Sequence, residues 1–153
     1  MTWDQMKDEI KGVVRLFDEV YSTFGLKYEI ELSTMPEDHI GTVEEWEHNQ
    51  EILKNAITAM GKDFVINEGD GAFYGPKLDV NVKPAVGAEY TLSTCQLDFC
   101  LPAKFHLTYV DKDGSEKTPV VLHRAILGSL DRFMAYLIEE TKGKFPTWLA
   151  PTQ

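Results

Sequence analysis

Cysteine is scarce in this chain: Cys95 and Cys100 are the only two among 153 residues. That is too few for a disulfide framework, so apolar packing must hold the fold and a cytoplasmic setting is expected. Long apolar runs are missing as well. None approaches the roughly 20 residues of a membrane span, and the N-terminus has no signal-peptide pattern, so no membrane partner is expected. Basic residues are outnumbered, 15 Lys and Arg against 25 Asp and Glu, for a formal net charge of −10. A protein that grips nucleic acid by itself normally shows a basic face, because phosphate neutralisation supplies most of the affinity. Residues 36–70 hold nine acidic and two basic side chains. This is a solvated face and not the main footprint of any RNA-binding assembly. Internal repeats and low-complexity tracts are absent too.

What is present suffices for one globular domain, or one piece of a larger one: 43% hydrophobic residues, with 8 Phe, 6 Tyr and 3 Trp. Thr2-Trp3-Asp4-Gln5 has the spacing of a capping box, and Met6, Ile10, Val13, Val14, Phe17, Val20, Tyr21 and Phe24 recur at steps of three and four until Gly25. This predicts an amphipathic helix. From Lys27 to Ser33, Tyr28, Ile30 and Leu32 alternate with polar residues, as in a half-buried strand. Thr42 to Glu45 is a second capping box, opening a helix that runs to Gly61, and a short strand is expected around Phe64 to Ile66. Three glycines and a proline between Gly69 and Lys77 mark a shaped turn. Further strands are predicted at Lys77–Lys83, Glu89–Phe99, Phe105–Val110 and Val120–Leu127. Gly128 breaks the last of them, and Ser129 caps a helix from Leu130 to about Thr141 whose buried stripe would be Phe133, Met134, Leu137 and Ile138. The whole reads as α+β, an antiparallel sheet flanked by helices, with no βαβαβ alternation.

The alternation of the sheet carries the first hint of chemistry. Lys77, Asp79 and Asn81 share a polar face, and Thr94, Gln96 and Asp98 share one, while Leu78, Val80, Cys95 and Leu97 point the other way. A solvated sheet face would look like this, and so would the floor of a polar substrate site. The glycine-rich turn and the strand–Gly–Ser–helix junction beside it favour the floor.

The run His123-Arg124-Ala125-Ile126-Leu127-Gly128-Ser129-Leu130-Asp131-Arg132-Phe133 resembles motif 3 of class II aminoacyl-tRNA synthetases in its threonyl form. Glu68-Gly69-Asp70-Gly71-Ala72-Phe73-Tyr74-Gly75-Pro76-Lys77, Gln96-Leu97-Asp98-Phe99 with Leu101-Pro102, and the closing Phe145-Pro146-Thr147-Trp148-Leu149-Ala150-Pro151 also resemble the threonyl-tRNA synthetase family, in the same order. The resemblance covers nearly the whole chain. It implies the C-terminal half of a class II catalytic domain over residues 1–144, with 145–153 a linker toward an anticodon-binding domain.

Several roles come with the resemblance. Arg132 matches the motif 3 arginine that binds ATP, carried as its magnesium complex, and Thr94 lines the floor near it. Tyr74 matches a tyrosine of the threonine pocket, with Gln96 and Lys77 at floor positions beside it. His123 matches one of three zinc ligands that hold threonine. The family's other two, a cysteine and a histidine, precede the residue matching Met1, and neither Cys95 nor Cys100 falls at a ligand position. No residue matches a catalytic acid, base or nucleophile. One departure stands out: Thr91 replaces a glutamine near the ATP site. Motifs 1 and 2, which build the dimer interface and hold ATP and the tRNA acceptor end, are not in this sequence. The resemblance therefore implies part of a dimeric ligase that joins threonine to tRNA(Thr), inactive in isolation. The alternative is a stand-alone synthetase-like binding or regulatory module without ligase activity.

Overall fold

The first helix begins where its own side chains can satisfy its free amides. In the computed structural model, which describes residues 1–84, 87 and 89–151, Thr2 accepts the Gln5 N–H and Gln5 accepts the Thr2 N–H at the start of α1 (Trp3–Phe24). Thr42 and Glu45 repeat this exchange after β1 (Glu29–Ser33), at the start of α2 (Val43–Ala59). A helix start leaves four amides bare, and each box supplies acceptors from residues three apart. The chain continues through β2 (Val65–Asn67), β3 (Lys77–Val82), β4 (Tyr90–Asp98), the short α3 (Leu101–Lys104), β5 (Tyr109–Val110), β6 (Glu116–Lys117), β7 (Val121–Ala125) and α4 (Leu130–Thr141).

Five strands make the main sheet in the order β2-β1-β3-β4-β7. Four of them pair antiparallel, and β2 is added parallel to β1 after the α2 crossover. The alternation expected from sequence sends Ile30, Leu32, Leu78, Val80, Val82, Cys95 and Leu97 to one side. There they pack with Met6, Ile10, Val14 and Phe17 of α1, Leu53 and Ile57 of α2, and Phe133, Tyr136 and Leu137 of α4 in one buried cluster. Each fully buried aliphatic or Phe side chain contributes about 1.5–3 kcal/mol, so this face fixes which side of the sheet is left for polar work. The fold is α+β, as expected.

Pairing of β3 with β4 breaks once. Val80 pairs with Ser93 but Asn81 with Thr91, which leaves Leu92 as an extra residue. Such a bulge resets the alternation. Leu92 turns into the core, and Thr91 donates to Asn81 Oδ1 at 2.7 Å.

Two local expectations need correction. The strand expected over Phe105–Val110 shrinks to Tyr109–Val110, paired with Glu116–Lys117 in a separate hairpin. Pro102 starts α3 instead, Phe105 closes it, and His106 takes a left-handed φ of 53°, which no strand accommodates. On α4 the buried stripe is Phe133, Tyr136 and Leu137, with Met134 and Ile138 exposed. The stripe is rotated from the expected one: Phe133 meets the Phe24 ring of α1 edge-on at 5.0 Å, and Tyr136 meets the Tyr90 ring edge-on at 6.5 Å. The C-terminal stretch is irregular and folds back, with the Trp148 ring 5.6 Å from that of Phe24 and Phe145 and Leu149 against the core. Thr152 and Gln153 of the expected linker lie outside the described residues.

Candidate functional site

Strand register lays out the polar side of the sheet in rows. Ser33, Lys77, Gln96 and His123 are neighbours across β1, β3, β4 and β7, and Glu31, Asp79, Thr94 and Ala125 form the next row. Asp98, opposite Val121, is the diagonal neighbour of His123.

The glycine-rich segment 68–76 closes over this floor. Gly71 N–H donates to the Thr34 carbonyl at 2.7 Å, and the Pro76 carbonyl accepts from Leu97 N–H at 3.0 Å. Gly75 has no substitute here, because a Cβ would sit 1.7 Å from the Leu97 carbonyl oxygen. Pressed down in this way, the turn aims Tyr74 inward. Its hydroxyl donates to Gln96 Oε1, and its ring meets the His123 ring edge-on at a centroid distance of 5.6 Å. Burial first, then the nearby Asp98 charge, raises the Tyr74 pKa, so the phenol stays a donor at neutral pH.

Asp98 is the hub of this half. It is 1% exposed, and Oδ1 accepts the N–H groups of Cys100 and Leu101 at 3.1 and 2.9 Å. Its Oδ2 lies 2.9 Å from His123 Nε2. A carboxylate can only accept, so the neutral imidazole donates through Nε2 and keeps Nδ1 as an acceptor with no partner among the described residues. Sequence placed Asp98 on the polar face but assigned it no role. The signal was available in the Gln96-Leu97-Asp98-Phe99 run, whereas its bond to His123 crosses 25 residues.

The β1–β3 half is a web of ion pairs. Lys77 Nζ lies 2.7 Å from Asp79 Oδ2 and 2.9 Å from Asp70 Oδ2. Burial alone would lower the Lys77 pKa, but these two carboxylates outweigh it and raise it. Glu31 is held by Asn67 at 2.7 Å and by Asn81 at 3.2 Å. Glu31, Asp70 and Asp79 are the only gathered group of potential metal-ligating side chains among the described residues. They include no histidine or cysteine and already have the Lys77 and amide partners just named. Among the described residues His123 therefore belongs to no ligand group: Cys95 faces the core, and burial lifts the thiol pKa values of Cys95 to about 12 and Cys100 to about 11. A three-ligand zinc centre does not fit these residues alone.

Thr94 and Arg132 complete the expected set. Thr94 Oγ1 is buried and has no hydrogen-bond partner among the described residues. Arg132 stands apart from the floor, in the first turn of α4, where its N–H donates to Ser129 Oγ at 3.3 Å. Among the described residues it forms no ion pair, which leaves the guanidinium fork open. The structure thus joins Tyr74, Gln96 and His123 in one network and sets Lys77 and Thr94 beside it, and among the described residues no hydrogen bond or ion pair ties Arg132 to that network.

The site is thus a sheet with one packed face, a glycine-pinned turn over its polar face and a Ser-capped helix beyond its last strand. Residues 1–141 match the family described as tRNA synthetase class II core domain (G, H, P, S and T), and the chain belongs to that family. Its relatives include the threonine–tRNA ligase of Clostridium tetani, 51% identical over 153 residues, which cover 100% of this chain and 24% of that protein. That of Thermotoga neapolitana is 51% identical over 152 residues. A solved structure of the RNA binding domain of threonyl-tRNA synthetase from Cryptosporidium parvum Iowa II superposes with a TM-score of 0.93 at 42% identity, covering 100% of this chain and 39% of that one. A threonyl-tRNA synthetase structure from Aeropyrum pernix gives 0.83 at 32% identity. The chain spans about a quarter of the length of the curated relatives it matches. No helix among the described residues is long and apolar enough to cross a membrane.

Proposed function

We propose that this chain is the motif 3 portion, the C-terminal half, of the catalytic domain of a threonine–tRNA ligase. In the whole enzyme it would help to activate threonine with ATP and pass it to tRNA(Thr) in the cytoplasm. The observation that carries this reading is the Tyr74–Gln96–His123–Asp98 network, which puts a phenol, an amide and an imidazole above one row of the floor. Such a set suits a small amino acid carrying both an amine and a hydroxyl. Tyr74, Gln96 and Lys77 form the threonine side, and His123 offers its free Nδ1 to a zinc ion whose other protein ligands come from elsewhere. That ion would contribute Lewis-acid binding of the substrate's amine and hydroxyl.

Thr94 and Arg132 form the ATP side. The orphaned Thr94 hydroxyl gains a partner when a ligand covers the floor, and the Arg132 guanidinium forks onto phosphate oxygens whose charge magnesium shares. Residues 1–144 are the partial catalytic domain and 145–153 the linker toward an anticodon-binding domain, within a homodimer. Alone, the chain lacks the partners that position ATP for reaction, and positioning supplies most of the rate.

A chimera tests the proposal. Replacing the matching segment of the C. tetani enzyme with this chain should preserve threonine-dependent ATP–pyrophosphate exchange, and His123→Ala or Arg132→Ala should abolish it. A folded chimera that is silent, or an exchange indifferent to both substitutions, overturns it.

A further inference from the structure

The β7–α4 junction is gripped from behind at two consecutive residues of the β4 bulge. β7 ends at Ala125, so the Ile126 carbonyl leaves the strand ladder and turns inward. It accepts a hydrogen bond from Ser93 Oγ. Ser93 is 1% exposed, and its hydroxyl lies 2.6 Å from the buried Tyr21 hydroxyl of α1, which is itself 3.4 Å from the same carbonyl. Two residues on, Gly128 adopts φ +61° against the Leu92 carbonyl, where a Cβ would sit 2.9 Å from the oxygen. The next residue, Ser129, caps α4, and Arg132 follows within its first turn. Leu92 and Ser93 are adjacent because the bulge rephases β4; without it one of them would face the floor.

The geometry points to Ser93, backed by Tyr21, as a positioning residue that sets where Arg132 emerges and so tunes ATP binding. This rests on the reading of Arg132 as the phosphate contact. Its logic lies in the unequal reach of the two hydroxyls. Without Ser93 Oγ, Tyr21 becomes the sole donor for the Ile126 carbonyl and draws the junction toward α1, taking the first turn of α4 with it. Without the Tyr21 hydroxyl, the Ser93 bond remains and the junction stays in place. A pair that merely satisfied buried groups would show no such asymmetry.

The test uses the 153-residue chain, isotope-labelled, with MgATP as the probe and Arg132→Ala as the reference. Ser93→Ala is expected to shift the amide signals of residues 126–133 and to weaken ATP binding by about five- to tenfold. Tyr21→Phe and Ser93→Thr should stay within about twofold of the unsubstituted chain. Equal affinity for Ser93→Ala and the unsubstituted chain overturns the positioning role. So does equal weakening by Tyr21→Phe and Ser93→Ala, which would leave the pair as core hydrogen bonding. Binding to the unsubstituted chain that Arg132→Ala leaves intact overturns the phosphate reading itself and brings this proposal down with it.

Discussion

The two halves of the polar floor are built on opposite plans. On the β1–β3 side the central charges have protein partners: Lys77 with Asp70 and Asp79, and Glu31 with Asn67 and Asn81. On the β4–β7 side capacity is left over: the Thr94 hydroxyl, His123 Nδ1 and the Arg132 guanidinium. A ligand over the first half competes with internal ion pairs, whereas one over the second satisfies groups the fold has left open. Unsatisfied buried polar groups are destabilising, so leaving them open makes sense where a ligand completes them. The first half is held by its own partners; a ligand over the second would do more for the protein than one over the first.

Lifting the turn that spans both halves should have the largest effect. Gly75→Ala drives a Cβ into the Leu97 carbonyl at 1.7 Å, so segment 68–76 must rise. A loss of about 3 kcal/mol is expected from urea unfolding, together with loss of the Tyr74–Gln96 contact; a change under about 1 kcal/mol would show that the turn re-seats. Next is Asp98→Ala, which strips the Cys100 and Leu101 amides and His123 of their acceptor and should reduce stability by about 2–3 kcal/mol. Asp98→Asn should retain part of this, since its carbonyl can still accept from the amides. Equal losses would contradict the hub role.

Lys77→Met attacks the self-satisfied half and should be milder, about 1–2 kcal/mol, because the ammonium is partly exposed while Asp79 is buried. The pH dependence has a definite sign. Lys77 has a raised folded pKa, so its contribution is complete below its ordinary value of 10.5 and is lost as pH rises through the folded value. The gap between the native chain and Lys77→Met should therefore be constant near neutrality and close only above about pH 10.5. A gap that closed toward acid pH would place the stabilisation on the carboxylates instead.

Much of this was readable from residues a few positions apart. Thr2 with Gln5 and Thr42 with Glu45 start helices through contacts three residues long, and period-two alternation put Lys77, Asp79, Thr94 and Gln96 on one face. What escaped depends on the third dimension. The bulge at Leu92 has no mark in its own residue types, and the Ser93–Tyr21 bond spans 72 positions. Phe105 and Leu107 looked like strand residues because alternation over six positions cannot show that Pro102 has already begun a helical turn. Roles for individual site residues came chiefly from motif resemblance. Pattern alone supplied a polar floor without saying which of its groups the fold would use up itself.

Arg132→Ala should have the smallest effect on stability and a decisive one on binding. The side chain is exposed and forms no ion pair among the described residues, so its removal should change unfolding free energy by no more than about 0.5 kcal/mol. The Ser129 cap remains, because it accepts from the Arg132 backbone N–H rather than from the guanidinium. ATP is different. An arginine–phosphate contact is worth about 1.5–3 kcal/mol, so removing it should abolish the weak, salt-sensitive binding expected of the isolated chain. Titrating both proteins with ATP at low and high salt separates the outcomes. Binding lost in the variant and weakened by salt in the parent places the nucleotide at the open half. Equal binding by both removes Arg132 from the site, and a large stability loss would show a structural role that its exposure gives no reason to expect.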